Sequence, residues 1–241
     1  MKAQNDDAQE KQIQLFILPY AGGSIAAFNK LTNLLDKRID VVVVEYAGRG
    51  TRAREPLHEN IWDMLQDAIS YCNARRKVTM PYAVMGYSMG SILAYEILSR
   101  KAIPGNLKHL FISAEVSPKY RSQELQNVKD ISEKEILERA KKLGGMDERL
   151  LANKRFADIY IRPMLSDYQN FFGYRFSDQD EKMEVATTLF YCEKDTALEK
   201  VKEWENLMDG AFCYHELGEN HFFINTEYEK MANIINATLC Q

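Results

Sequence analysis

Tyr82-Ala83-Val84-Met85-Gly86-Tyr87-Ser88-Met89-Gly90-Ser91 is the stretch on which the architecture turns. Tyr82–Met85 reads as a short buried strand, and Met89–Arg100 has the spacing of an amphipathic helix. Between them lies Gly86-Tyr87-Ser88-Met89-Gly90, a G-x-S-x-G pentapeptide. As a bare string it is weak, because small residues at three fixed positions recur by chance. A strand leading straight in and a helix leading straight out change its weight. So sharp a turn forces the middle residue into a strained backbone conformation. Glycine is needed on both sides, since a Cβ there would collide with the neighbouring strand and helix. Ser88 Oγ is then expected to stand exposed at the top of a sheet, at the positive end of the helix dipole.

Outward from this turn the chain keeps one rhythm. Apolar strand candidates are Ile13–Leu18, Asp40–Glu45, Tyr82–Met85, Leu110–Ala114, Ala186–Cys192 and Ala211–Glu216. Helical patterns fall between or after them at Ala26–Leu35, Ile61–Asn73, Met89–Arg100 and Glu227–Leu239. Strands alternating with helices imply βαβ units and a mostly parallel sheet covered on both faces. Pro118 to Phe176 breaks the pattern: nothing there reads as a strand, while Ser132–Leu143 and Asp147–Tyr160 read as helices. Ser132 with Glu135 three residues on makes a capping box, and Gly144-Gly145 a stop. About sixty residues of helix is too long for an ordinary crossover, so the segment reads as a helical cap over the C-terminal edge of the sheet. A tandem helical subdomain with no lid role is the other reading.

Composition narrows the classes. The 241 residues are 46% hydrophobic and 27% charged, ordinary globular values that allow a sizeable core. The formal charge of −4 leaves no net field to hold a polyphosphate backbone, which argues against general nucleic-acid binding. Cys72, Cys192, Cys213 and Cys240 form no C-x-x-C pair and suit a reducing compartment. Met1 to Gln12 is polar, without the pattern of a secretory signal, and the longest aliphatic run, Val41 to Val44, is far short of a membrane span. A soluble, cytoplasmic protein that does not enter a membrane is expected.

A serine hydroxyl is a poor nucleophile alone, so the turn demands a base and an orienting acid in the order Ser…Asp/Glu…His. Of the four histidines, His58 precedes the serine, His109 comes before any suitable acid, and His215 lies within the last strand pattern. His221 follows that strand's end, 133 residues after Ser88, with Phe222-Phe223 to pack it in place. The loop after Ala186–Cys192 offers Glu193 and Asp195; Asp195 is preferred because it lies beyond the strand end, and Glu193 reads as a surface carboxylate. A tetrahedral oxyanion needs backbone N–H donors, each worth about 3–4 kcal/mol in comparable sites. Met89 N–H supplies one by its position after the nucleophile. Ala21 N–H, in the Pro19-Tyr20-Ala21-Gly22-Gly23-Ser24 loop after the first strand, is the candidate second.

Together these residues resemble a known family. Pro19-Tyr20-Ala21-Gly22-Gly23-Ser24 is similar to the P-F-A-G-G-G loop of type II thioesterases, the discrete editing enzymes of nonribosomal peptide and polyketide synthesis. Glu45-Tyr46-Ala47-Gly48-Arg49-Gly50-Thr51-Arg52 resembles their Y-P-G-R-G-x-R segment, and Gly86-Tyr87-Ser88-Met89-Gly90-Ser91 their G-H-S-M-G-A. Leu143-Gly144-Gly145 matches a lid L-G-G, and Asn220-His221-Phe222-Phe223 matches G-H-F-F. The chain departs at Ala47 for proline, Tyr87 for histidine, Asn220 for glycine, and Cys192 where a glycine often stands three residues before the acid. None of these removes a catalytic group.

The resemblance implies an α/β-hydrolase fold in one domain over residues 1–241: a mostly parallel central sheet flanked by helices, with a helical lid inserted at about 118–176. It implies hydrolysis of acyl thioesters on the phosphopantetheine arm of acyl- and peptidyl-carrier domains, by Ser88, His221 and Asp195 with Ala21 and Met89 as oxyanion donors. No metal or other cofactor is required, and a monomer is expected. Lys119, Arg121, Lys141 and Lys142 are candidates to meet an acidic carrier, although solvated helix faces explain them better. Tyr160, Tyr168, Phe171, Phe172 and Tyr174 fit equally a pocket lining or the core of the cap. The rival readings are a carboxylesterase or lipase of the same fold, an acyltransferase, and a non-catalytic ligand-binding relative.

Overall fold

The structure, a computed structural model, describes residues 10–126, 128, 131–143, 157–177 and 181–240. All six expected strands form: β1 (Ile13–Leu18), β2 (Ile39–Val43), β3 (Tyr82–Tyr87), β4 (Leu107–Ser113), β5 (Thr187–Tyr191) and β6 (Phe212–Glu216). They pair in parallel in the spatial order β2-β1-β3-β4-β5-β6. The strands β1, β3 and β5 are buried along their whole length because both faces are covered, whereas β6 at the edge is partly exposed. Along β1 and β3, Phe16, Leu18 and Val84 enter one core, while Leu15, Ile17, Ala83 and Met85 enter another.

Helices pack on both faces. On the first, α2 (Ile61–Arg75) buries Met64, Leu65 and Ala68, and α3 (Met89–Ser99) buries Ile92, Leu93 and Ile97. On the second, α1 (Asn29–Thr32) buries Leu31, and the C-terminal helix Tyr228–Leu239 buries Met231, Ala232 and Ile235. Each fully buried side chain of leucine size contributes about 1.5–3 kcal/mol. Asn60 starts α2 by accepting from the N–H groups of Trp62 and Asp63, both at 2.9 Å. The expected helix Ala26–Leu35 is instead a 3₁₀ turn, Ile25–Phe28, followed by α1. The tighter turn delivers the fully buried Phe28 ring against Tyr20 and Tyr87.

Between β4 and β5 the described residues contain no strand. The helices are α4 (Pro118–Leu125), α5 (Glu133–Lys142) and α6 (Arg162–Phe172), the last entered through a π-type turn, Ala157–Ile161. The Ser132–Glu135 capping box opens α5 as the spacing predicts. The sequence pattern predicts neither α4 nor α6. Both carry a proline in the first turn, where its missing N–H costs nothing, and that was the available signal. The Gly144-Gly145 stop and most of the expected helix Asp147–Tyr160 lie outside the described residues. After β5 comes α7 (Leu198–Val201), and Tyr228–Leu239 is α8. Among the described residues no helix is long and apolar enough to cross a membrane.

Candidate active site

Ser88 sits between β3 and α3 with φ 51° and ψ −123°, the strained turn that the pentapeptide predicts. A Cβ on Gly86 would overlap the backbone of Gly90 and Ser91 on the helix. One on Gly90 would overlap Leu18 O and Pro19 O at the end of β1. The neighbouring strand steadies the turn, for Ser88 N donates to Ser113 O at 2.8 Å and Ser91 Oγ to the same oxygen at 3.1 Å. The side chain of Ser88 does not cap its own helix, which leaves Oγ available.

The three predicted side chains meet. His221 Nε2 lies 3.0 Å from Ser88 Oγ, and His221 Nδ1 lies 2.8 Å from Asp195 Oδ2. His221 comes from the loop after β6 and is 7% exposed. Asn220, which stands where the family has glycine, turns that loop by accepting from Phe222 N at 2.9 Å. Phe222 packs edge-on against the imidazole, ring centroids 5.1 Å apart. Asp195 is presented by a tight turn in which the N–H groups of Asp195 and Thr196 both donate to Cys192 O, at 3.0 and 2.8 Å. Glu193 accepts from Leu198 N at 3.0 Å and so starts α7. The other histidines are engaged elsewhere: His58 with Asp67, His109 with Thr188 Oγ1, and His215, within β6, against the Phe190 ring.

One contributor was missed in the sequence. Tyr87 OH donates to the His221 carbonyl at 2.6 Å and accepts from Ile224 N at 3.3 Å, from a fully buried position. The residue that replaces the family's histidine therefore holds the histidine loop from beneath. Burial pushes its hydroxyl well above the usual tyrosine value, so it stays a neutral donor.

Met89 is the first residue of α3, and its N–H is one of the groups that a helix start leaves without an internal partner. Ala21 lines the same cavity as Ser88, Met89, Asp195 and His221. The residues after Ala21 are tied to distant elements that the sequence did not connect. Gly22 N donates to Asp167 Oδ2 at 2.7 Å, and Arg49 forms a two-pronged ion pair with Asp167 at 2.5 and 2.7 Å. Burial works against the Arg49 charge; the carboxylate beside it outweighs this and holds the guanidinium above its ordinary value.

The cavity measures about 760 Å³. Around Ser88, Asp195 and His221 its walls come from the Ala21 loop, from the loops after β5 and β6, and from the segment between β4 and β5, which supplies Leu125, Leu143, Tyr168, Phe171 and Phe172. Burial pushes the Tyr168 hydroxyl up to about 12. Tyr174 is buried elsewhere and donates to Glu96, while Tyr160 is exposed. Of the cations weighed for carrier contact, Arg121 turns inward, pairing with Glu115 and Glu124 at 2.5 and 2.6 Å. Two carboxylates within reach draw its guanidinium in, so Arg121 does not present itself to a partner surface. Lys142 is exposed at the cavity rim.

Comparison with known proteins agrees with this arrangement. The family model "Thioesterase domain" matches residues 13–239. The chain is 24% identical to Thioesterase PikA5 of Streptomyces venezuelae, over 95% of this chain and 82% of that one. Among solved structures, the RedJ thioesterase from the prodiginine biosynthetic pathway in Streptomyces coelicolor superposes with a TM-score of 0.79 at 26% identity, covering 95% of this chain and 86% of the other. The type II thioesterase BorB from the borrelidin biosynthetic cluster gives a TM-score of 0.79 at 26% identity, over 96% and 94%. With its α/β-hydrolase sheet and this match across nearly its whole length, the chain belongs to the thioesterase domain family and is a thioester hydrolase of the serine type.

Proposed function

We propose that Ser88, His221 and Asp195 are the catalytic triad of a discrete cytoplasmic type II thioesterase, one that clears acyl groups from the phosphopantetheine arm of carrier-protein domains. The observation that carries this reading is the unbroken hydrogen-bonded chain from Ser88 through His221 to Asp195 at the floor of the cavity. Ser88 Oγ attacks the thioester carbonyl as His221 Nε2 takes its proton, and Asp195 holds the Nδ1–H tautomer. The N–H groups of Ala21 and Met89 receive the oxyanion. The imidazolium then protonates the departing carrier thiol, and the same imidazole activates the water that releases the acid.

The names of relatives support a role in a biosynthetic assembly line: PikA5 is called a thioesterase, GrsT a gramicidin S biosynthesis protein, and BorB a type II thioesterase from a biosynthetic cluster. Leu125, Leu143 and the aromatic Tyr168, Phe171 and Phe172 on the cavity wall suit an acyl chain, and we assign the segment at about 118–176 the role of lid. The test compares hydrolysis of an acyl-carrier thioester, the matching acyl-coenzyme A and a simple oxygen ester. The carrier thioester is expected to have the highest kcat/KM, and Ser88→Ala is expected to abolish turnover and fluorophosphonate labelling. A strong preference for the oxygen ester refutes the carrier assignment.

A further inference from the structure

We infer that Asp167 and Arg49 are positioning residues for the oxyanion donor, an inference that rests on the triad reading above. Asp167 is 1% exposed and Arg49 3%, so both charges are taken almost wholly out of water. A buried ion pair is weak evidence for stability, because apolar side chains of similar volume often serve as well. What this pair does that an apolar pair would not is hold backbone. Asp167 Oδ2 accepts from Gly22 N at 2.7 Å, and Arg49 Nη1 donates to Gly23 O at 3.3 Å. Gly22 and Gly23 are the two residues directly after Ala21.

Three further observations converge on the same loop. Gly22 has φ +80°, and a Cβ there would lie 2.7 Å from Met164 Cβ, so α6 seats directly on the loop backbone one turn before Asp167. Tyr46 OH donates to Pro19 O at 3.1 Å, on the other side of Ala21. The Arg49 guanidinium lies over the Tyr46 ring, 5.3 Å from its centroid. The loop is therefore pinned at Pro19, Gly22 and Gly23, with Ala21 between the pins and on the cavity wall. Asp167 belongs to α6, so the helical segment that walls the cavity also sets the oxyanion loop. Seating of that segment and competence of the donor are mechanically one event.

A displaced oxyanion donor weakens only the transition state, so it lowers kcat and leaves KM nearly alone. The experiment measures Asp167→Asn and the double variant Arg49→Met/Asp167→Leu on a short acyl thioester. Rates are taken per fluorophosphonate-titrated site, beside thermal melts and inhibition by an alkyl trifluoromethyl ketone, whose serine hemiketal places an oxyanion in the same hole. The expected result is a fall in kcat of about 10- to 100-fold per titrated site with KM within about threefold. Affinity for the ketone falls in parallel. If Asp167→Asn does not fold, the double variant carries the test, because its apolar pair fills the site without gripping the loop. A soluble variant with kcat per titrated site within about twofold of the parent, or one in which only KM rises, overturns the inference. Ser88→Ala separates the two levels: if it is inert while the clamp variants are fully active, only the clamp fails, whereas turnover by Ser88→Ala removes the triad and the clamp together.

Discussion

Removing one oxygen atom at Tyr87 should disturb catalysis from behind the site. In Tyr87→Phe the ring packing against Phe28 and Phe223 remains, so the loss is confined to the hydroxyl. Two backbone groups lose their partner: the His221 carbonyl, now 2.6 Å from Tyr87 OH, and Ile224 N at 3.3 Å. Neither finds water easily beneath a fully buried ring. Leaving a buried polar group unsatisfied costs about 1–3 kcal/mol. The shorter bond dominates here, so about 2 kcal/mol is expected, which for a chain of this length lowers Tm by about 4–8 °C. The same loosening reaches the imidazole, whose Nε2 must stay near 3.0 Å from Ser88 Oγ. A fall in kcat of about 3- to 30-fold with little change in KM follows, since misplacement by an ångström costs up to about 100-fold. Scanning calorimetry and steady-state kinetics on one acyl thioester check both parts. A Tm within about 1 °C of the parent with unchanged kcat would refute the reasoning.

Two other outcomes follow from the same geometry. Asp195→Asn keeps the shape of the acid but presents an amide to His221 Nδ1, which favours the wrong tautomer; kcat should drop by about 10⁴ while fluorophosphonate-accessible Ser88 remains folded in place, and a loss under tenfold argues against Asp195 as the orienting acid. Burial lowers the His109 imidazole from 6.5 to about 4, so in the folded chain it is neutral where the unfolded chain takes up a proton. Its contribution to stability is thus full above pH 6.5, is lost as pH falls towards about 4, and is flat below that. His109→Gln, with an amide to face Thr188 Oγ1, should flatten the decline in Tm across that window; parallel curves for the two proteins would count against it.

What the sequence determined alone was everything carried by near neighbours along the chain. Apolar-rich runs alternating with helical patterns declared a two-sided parallel sheet, because strands covered on both faces, as β1, β3 and β5 are, have little room for polar residues. Gly86 and Gly90 declared the turn at Ser88, since only a residue without Cβ fits against the helix and against β1. Strand ends then pointed to His221 and Asp195, because loops at the C-terminal edge of such a sheet must converge. Tertiary structure alone decided how those groups are held. Arg49 stands inside a recognisable local motif, yet its carboxylate partner lies 118 residues away on α6, a helix that the sequence pattern does not mark. Arg121 looked like a surface cation until Glu115, two residues beyond β4, proved to be its partner. Tyr87 looked like a substituted wall residue, and its hydroxyl proved to carry the histidine loop. Local steric rules are written in adjacent residues, whereas the pairing of buried charges and hydroxyls depends on which distant surfaces the core brings together.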